Sequence, residues 1–96
     1  EWTWSPLRAA LAIEEVLRGW GASVKVKWPN DLYTIHGQKL GGVLCEGVGD
    51  RVLVGVGLNL RDPGVPGAAG LENLGIRVTS EEVATALMGR WSHWLG

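Results

Sequence analysis

The sequence predicts an α+β fold: a mixed or antiparallel sheet with helices packed on one face. Three observations predict it. Apolar residues recur at helical spacing early in the chain, and again near its end behind an acidic start. Between these stretches lie alternating or continuously apolar runs, separated by glycine-containing turns. Helix, meandering strands, helix is the order of an α+β sheet.

Each element has its own signal. Ser5 and Pro6 read as an N-cap and first helical position, and Gly21 as the stop. Between them Ala10, Ile13, Leu17 and Trp20 share one face, while Glu14 and Arg18 face outward four residues apart. Val24, Val26 and Trp28 alternate with Lys25 and Lys27, which predicts a strand with one buried face. His36-Gly37 turns the chain, so the segments 32–35 and 39–46 can pair as a hairpin. Gly49-Asp50 marks the next turn. The run 51–60 is apolar on both sides and is expected at the centre of its sheet. From 61 to 70 the composition shifts to Pro, Gly and Ala, a surface loop or linker. Ser80, Glu81 and Glu82 then start a second helix, with Val83, Leu87, Trp91 and Leu95 as its buried stripe.

Composition narrows the classes of function. Ninety-six residues make one small domain with a single core. A formal net charge of −1 gives no overall attraction to nucleic acid or an anionic membrane. One cysteine excludes an internal disulfide, and with two scattered histidines it offers no structural zinc site. No apolar run approaches bilayer-spanning length and no signal peptide is visible, so a reducing, cytoplasmic setting is expected. The six tryptophans read as core material.

The candidate chemistry sits on two strands and the turn before them. On the second long strand Val52, Val54, Val56 and Leu58 point one way, and Leu53, Gly55, Gly57 and Asn59 the other. On its neighbour Leu40, Gly42 and Leu44 oppose Gly41, Val43 and Cys45. The valine-rich face seats the helices. The opposite face has Gly42, Gly55 and Gly57 where a packed sheet carries side chains, which marks either a close ligand or backbone, or a bulge or tight helix packing. Asn30 and Asp31 are turn residues by type, Lys39 is an edge charge by position, and Asn59 can cap its exit turn. His36 reads as turn chemistry, Glu46 as an exposed strand-end carboxylate, and Cys45 as an inert core residue. Gly55-Val56-Gly57 is too short for a dinucleotide fingerprint, and no Walker-type phosphate loop is present.

Taken together these residues resemble the biotin protein ligase family. Lys27-Trp28-Pro29-Asn30-Asp31-Leu32 matches its KWPND signature. The segment 38–46 is similar to its KLAGILxE strand, with Gly41 in place of the usual alanine, and 54–60 is similar to its GxGxN strand. The motifs stand in the family's order and spacing, and the resemblance covers nearly the whole chain. It implies part of a class II synthetase-like catalytic domain over residues 1–96. The family's Ser/Thr-rich segment, its GRGRRG-type biotin and phosphate loop and its C-terminal barrel have no counterpart in these residues, and neither has the DNA-binding winged helix of some members.

The resemblance also implies an activity. ATP activates biotin to biotinyl-5′-adenylate, which is then transferred to a lysine of a biotin carboxyl carrier domain of a carboxylase. Lys39 matches the family lysine that contacts the biotin carboxylate and the α-phosphate, and Asp31 is the candidate for receiving the acceptor lysine and its proton. Gly42, Leu44, Gly55, Gly57 and Leu58, with Lys39, would form the biotin site. Lys27, Asn30 and Asn59 would bind ATP, with Mg²⁺ held mainly by the nucleotide and no metal site on the protein. Strict alternation sets Lys39 and Leu58 against the face of Gly42 and Gly57; a bulge near Leu40-Gly41, or strong twist, would reconcile them. The alternatives are a catalytically incomplete fragment, a sheet module that binds a partner or forms a homodimer through an exposed edge, and a lipoate-type ligase.

Overall fold

The computed structural model describes residues 5–28 and 30–94, apart from the side chains of 5, 6, 52 and 91–94. The expected cap at Ser5, the position of Pro29, and the places of Val52, Trp91 and Leu95 on their buried faces lie outside that description. Helix α1 (Ser5–Gly19) buries Ala9, Ala10, Ile13, Val16 and Leu17 along one face. Arg18 reaches back to Glu14 at 3.1 Å on the solvent side. The helix stops in a Schellman arrangement: Gly21 has φ 95, its N–H donates to the Arg18 carbonyl, and the Ala22 N–H donates to that of Leu17.

Four antiparallel strands follow as a meander: β1 (Val24–Lys27), β2 (Asp31–Thr34), β3 (Lys39–Val48) and β4 (Arg51–Leu58), in the spatial order of the chain. Thr34 controls the β2–β3 turn. It is 1% exposed, and its hydroxyl accepts the N–H groups of His36 and Gln38, both at 3.2 Å. His36 is thus turn chemistry. Gly49 and Asp50 make a two-residue β3–β4 turn, with φ 62 at Gly49.

Three expectations need correction here. Strand β4 stands at one end of the described sheet, not at its centre, because a meander in chain order pairs it with β3 alone among the described strands. Its apolar side faces the helices, and its opposite side, with Arg51, Leu53, Gly55 and Gly57, is exposed rather than a second buried face. Trp28 follows β1 rather than extending it, and is 66% exposed. The second helix, α2 (Ser80–Trp94), starts at Ser80 as expected, with Thr79 as its cap: the Thr79 hydroxyl accepts the Glu82 N–H at 3.1 Å while the Glu82 carboxylate accepts the Thr79 N–H at 2.9 Å. The segment 61–70 is a surface loop, exposed over 61–67, and not a linker, since it ends in buried Ala69 and Gly70 and runs into a 3₁₀ turn (Leu71–Leu74) that the sequence pattern did not predict.

Both helices share one core with the sheet. Ile13 and Leu17 of α1 and Val83 and Leu87 of α2 join Leu32, Leu40, Val43, Leu71 and Ile76 in one apolar cluster. Cys45 and Val54 pack at its margin, and partial burial pushes the Cys45 thiol up, away from reactivity. No helix among the described residues is long and apolar enough to cross a membrane.

The loop beyond β4 is closed by polar groups. Asp62 accepts the Gly64 N–H at 2.8 Å and an Asn73 amide hydrogen at 3.3 Å, and these bonds hold its carboxyl below the ordinary value of 3.8. Its contribution is present above that ordinary value and is lost as pH falls through the lower, folded one. The Gly64 amide proton shift should therefore titrate with a midpoint below 3.8. Leu71, fully buried, ties this loop to the core. Leu71→Ala should cost about 2–5 kcal/mol in urea unfolding.

Candidate functional site

A break in the pleat of β3 builds the site. Leu32 pairs with Gly41 and Tyr33 with Lys39, so Leu40 is an extra residue between two partners. Such a bulge reverses the facing of the residues before it. Leu40 turns into the core and is fully buried, whereas Lys39 turns onto the open face beside Gly42. The conflict raised by strict alternation is resolved at Leu40, and the grouping of Leu40 with Gly42 and Leu44 is corrected. The next residue makes the close approach. A β-carbon on Gly41 would run into the Gly57 carbonyl oxygen and stand 2.9 Å from the Leu58 Cα.

On the open face Asn30, Asp31, Lys39, Gly42, Leu44, Gly55 and Gly57 line a depression of about 490 Å³. The Lys39 ammonium lies 3.5 Å from Asp31 Oδ1, with both side chains partly exposed. A pair that wet contributes at most about 1 kcal/mol to folding, so it places charge more than it holds the chain together. Asn30 is fixed twice to β3: its side-chain amide donates to the Val43 carbonyl at 2.8 Å, and its own carbonyl accepts the Val43 N–H at 2.8 Å. That double link sets Asp31 at the rim. A β-carbon on Gly42 would sit 3.0 Å from Asp31 Oδ1 and displace it. Gly55 and Gly57 are under no such constraint, since β-carbons there would meet their nearest atoms at 3.9 and 4.0 Å. Their bareness leaves the floor open without being demanded by strand packing. Leu44, 74% exposed, stands as an apolar wall.

Three expected residues are not in this group. Leu58 packs toward the helices and lines a separate apolar cavity with Val83 and Leu87, because the β3–β4 register runs unbroken and leaves Leu58 out of phase with Gly57. Asn59 lies past the end of β4, where its side-chain amide donates to the Ala69 carbonyl at 3.1 Å. Lys27 faces Asp31 across the strands but extends over the Tyr33 ring, 5.0 Å from its centre. Tyr33 was missed. The alternation of Asp31 and Tyr33 against buried Leu32 and Thr34 carries the signal that would have placed it.

Comparison with known proteins shows what the chain is similar to. A family model described as the biotin/lipoate A/B protein ligase family matches residues 7–61. The chain is 53% identical over 47 residues to biotin–protein ligase 1, chloroplastic, of Arabidopsis thaliana, covering 45% of this chain and 12% of that protein. It is 43% identical over 56 residues to the bifunctional ligase/repressor BirA of Escherichia coli, covering 52% of this chain and 17% of that protein. The apo structure of a biotin protein ligase from Aquifex aeolicus superposes with a TM-score of 0.81 at 31% identity, over 95% of this chain and 44% of that one. The same ligase in complex with biotin and ATP gives 0.78 at 30% identity, over 92% of this chain and 40% of that one. The chain thus spans less than half the length of the relatives it matches. With the family pattern extending over more than half of its residues, the chain belongs to the biotin/lipoate A/B protein ligase family.

Proposed function

We propose that this chain supplies one side of an adenylation site for biotin. The observation that carries the reading is the Lys39–Asp31 pair at the rim of a glycine-floored depression, an arrangement that exists because of the Leu40 bulge. A biotin carboxylate oxygen attacks the α-phosphorus of ATP, the bond to the β-phosphate breaks, and pyrophosphate leaves. Two anions must meet for this, and a preplaced ammonium lowers their repulsion most where charge is developing. Lys39 can supply that ammonium, because it already stands beside a carboxylate and is free to exchange Asp31 for the incoming anions.

In the second step an acceptor lysine amine attacks the mixed anhydride, AMP departs, and a proton must be removed. Asp31, partly exposed at the rim, attracts the acceptor ammonium and takes that proton. The acceptor is a biotin carboxyl carrier domain of a carboxylase, and the setting is cytoplasmic. Gly42, Gly55, Gly57 and Leu44 border the biotin rings. Asn30 is the nearer candidate for the adenine edge because it lines the depression, while Asn59 does not; the amide of each already donates to a backbone carbonyl, that of Val43 and that of Ala69. Lys27 is available for the phosphates from its place over Tyr33. Mg²⁺ would come in with the triphosphate, which holds it through its own oxygens. A homodimer would use the outer edge of β4, which is unpaired among the described strands.

In the complete ligase, Lys39→Ala should slow biotinyl-adenylate formation by on the order of a hundredfold or more, the size expected for loss of a charged group that acts in the transition state. A rate within a few fold of wild type would remove Lys39 from the mechanism. Running the assay with biotin and lipoate side by side separates the two branches of the family. Gly57→Val should leave the melting temperature nearly unchanged while weakening biotin binding by roughly tenfold or more, measured by calorimetry.

A further inference from the structure

The backbone of Lys39 is held from two sides. Strand β2 pairs with it through Tyr33. On the other side the Lys39 N–H donates to the Gly67 carbonyl at 2.9 Å, and the Ala69 N–H donates to the Lys39 carbonyl at 3.0 Å. These bonds form a parallel bridge between Lys39 and Ala68. The segment that supplies it is weak in itself. Between Gly64 and Gly70 it carries Val65, which is 58% exposed, two glycines at positive φ, and only Ala69 in the core.

What gives that segment a fixed shape is a polar clamp at its base. At one end Asp62 Oδ1 accepts the Gly64 N–H at 2.8 Å, and at the other Asn73 Oδ1 accepts the Gly70 N–H at 2.9 Å. The two side chains then meet, Asn73 Nδ2 donating to Asp62 Oδ2 at 3.3 Å. Glu72 secures the near end by accepting the Asp62 N–H at 2.9 Å. Gly70 is pressed against the backbone of Arg61, where a β-carbon would collide with the Arg61 carbonyl, so the loop closes tightly on itself.

We infer that Asp62 and Asn73 are positioning residues for Lys39: by closing the loop they hold the 67–69 backbone against it and fix where its ammonium enters the site. Neither residue lines the depression, so each acts through the loop and not on a substrate. The inference rests on the role proposed for Lys39, and it adds the part of the fold that places that lysine.

The test uses the complete ligase. In Asn73→Ala, amide hydrogen exchange at Lys39 and Ala69 should accelerate by roughly tenfold, the scale of one lost hydrogen bond. The kcat for biotinyl-adenylate formation should fall by a similar factor with the KM for ATP nearly unchanged. The double exchange Asp62→Asn with Asn73→Asp trades donor for acceptor across the clamp and keeps its three hydrogen bonds, so it should recover both exchange protection and kcat. Unchanged exchange at Lys39 in Asn73→Ala would overturn the inference. So would a kcat that stays low in the double variant while its melting temperature returns to wild type. If Lys39→Ala itself leaves the rate intact, the proposed function fails, and the exchange experiment still decides whether the clamp holds Lys39.

Discussion

The extra residue at Leu40 is the constraint around which the rest is arranged. A regular strand would send Lys39 and Gly41 to one face and Leu40 with Gly42 to the other. The bulge shifts that phase: Leu40 enters the core together with Val43, and Lys39 reaches solvent on the same face as Gly42. It is stabilised from several directions. Burial of Leu40 favours it by about 1.5–3 kcal/mol, the Asn59 N–H engages the Leu40 carbonyl at 2.9 Å, and the bare Gly41 lets β4 approach. A cluster of apolar side chains thereby sets the direction of a charged one.

That arrangement separates the groups that hold the fold from those proposed to meet ligands. Ile13, Leu17, Leu32, Leu40, Leu71 and Val43 are almost wholly out of water and dominate the stability. The open face carries Lys39, Asp31, Lys27 and Tyr33 in contacts that are wet and individually weak. Weak contacts suit the proposed reaction, in which this surface would exchange its own ion pair for those of two substrates and then release the product.

Much of this was legible in the sequence. The helical face of α1, the valine side of β4 and the turns at His36-Gly37 and Gly49-Asp50 follow from local periodicity and turn chemistry, which the chain advertises over a few residues. The bulge was legible as a contradiction: alternation disagreed with the family motif at Lys39, and the double glycine beside it suggested the remedy. What escaped depended on distant partners. Nothing near β4 says that it lies at one end of the described sheet, because that is decided by which strands pair. Leu58 was misplaced for a different reason, since the motif was trusted over the alternation that had set it on the helix side. The clamp was invisible because Asp62 and Asn73 are ordinary loop residues until the chain folds them together.

The parallel bridge between Lys39 and Ala68 also bears on the order in which the molecule assembles. The β2–β3 and β3–β4 pairings close over short turns, so little chain entropy stands between them and their first contacts. The bridge joins residues on either side of the whole β3–β4 hairpin and must wait for it. Contacts of that separation form late and open early. The lysine at the centre of the proposed chemistry thus has one early partner in Tyr33 and one late partner in the 67–69 backbone, so a ligand that binds it would favour the chain with both in place.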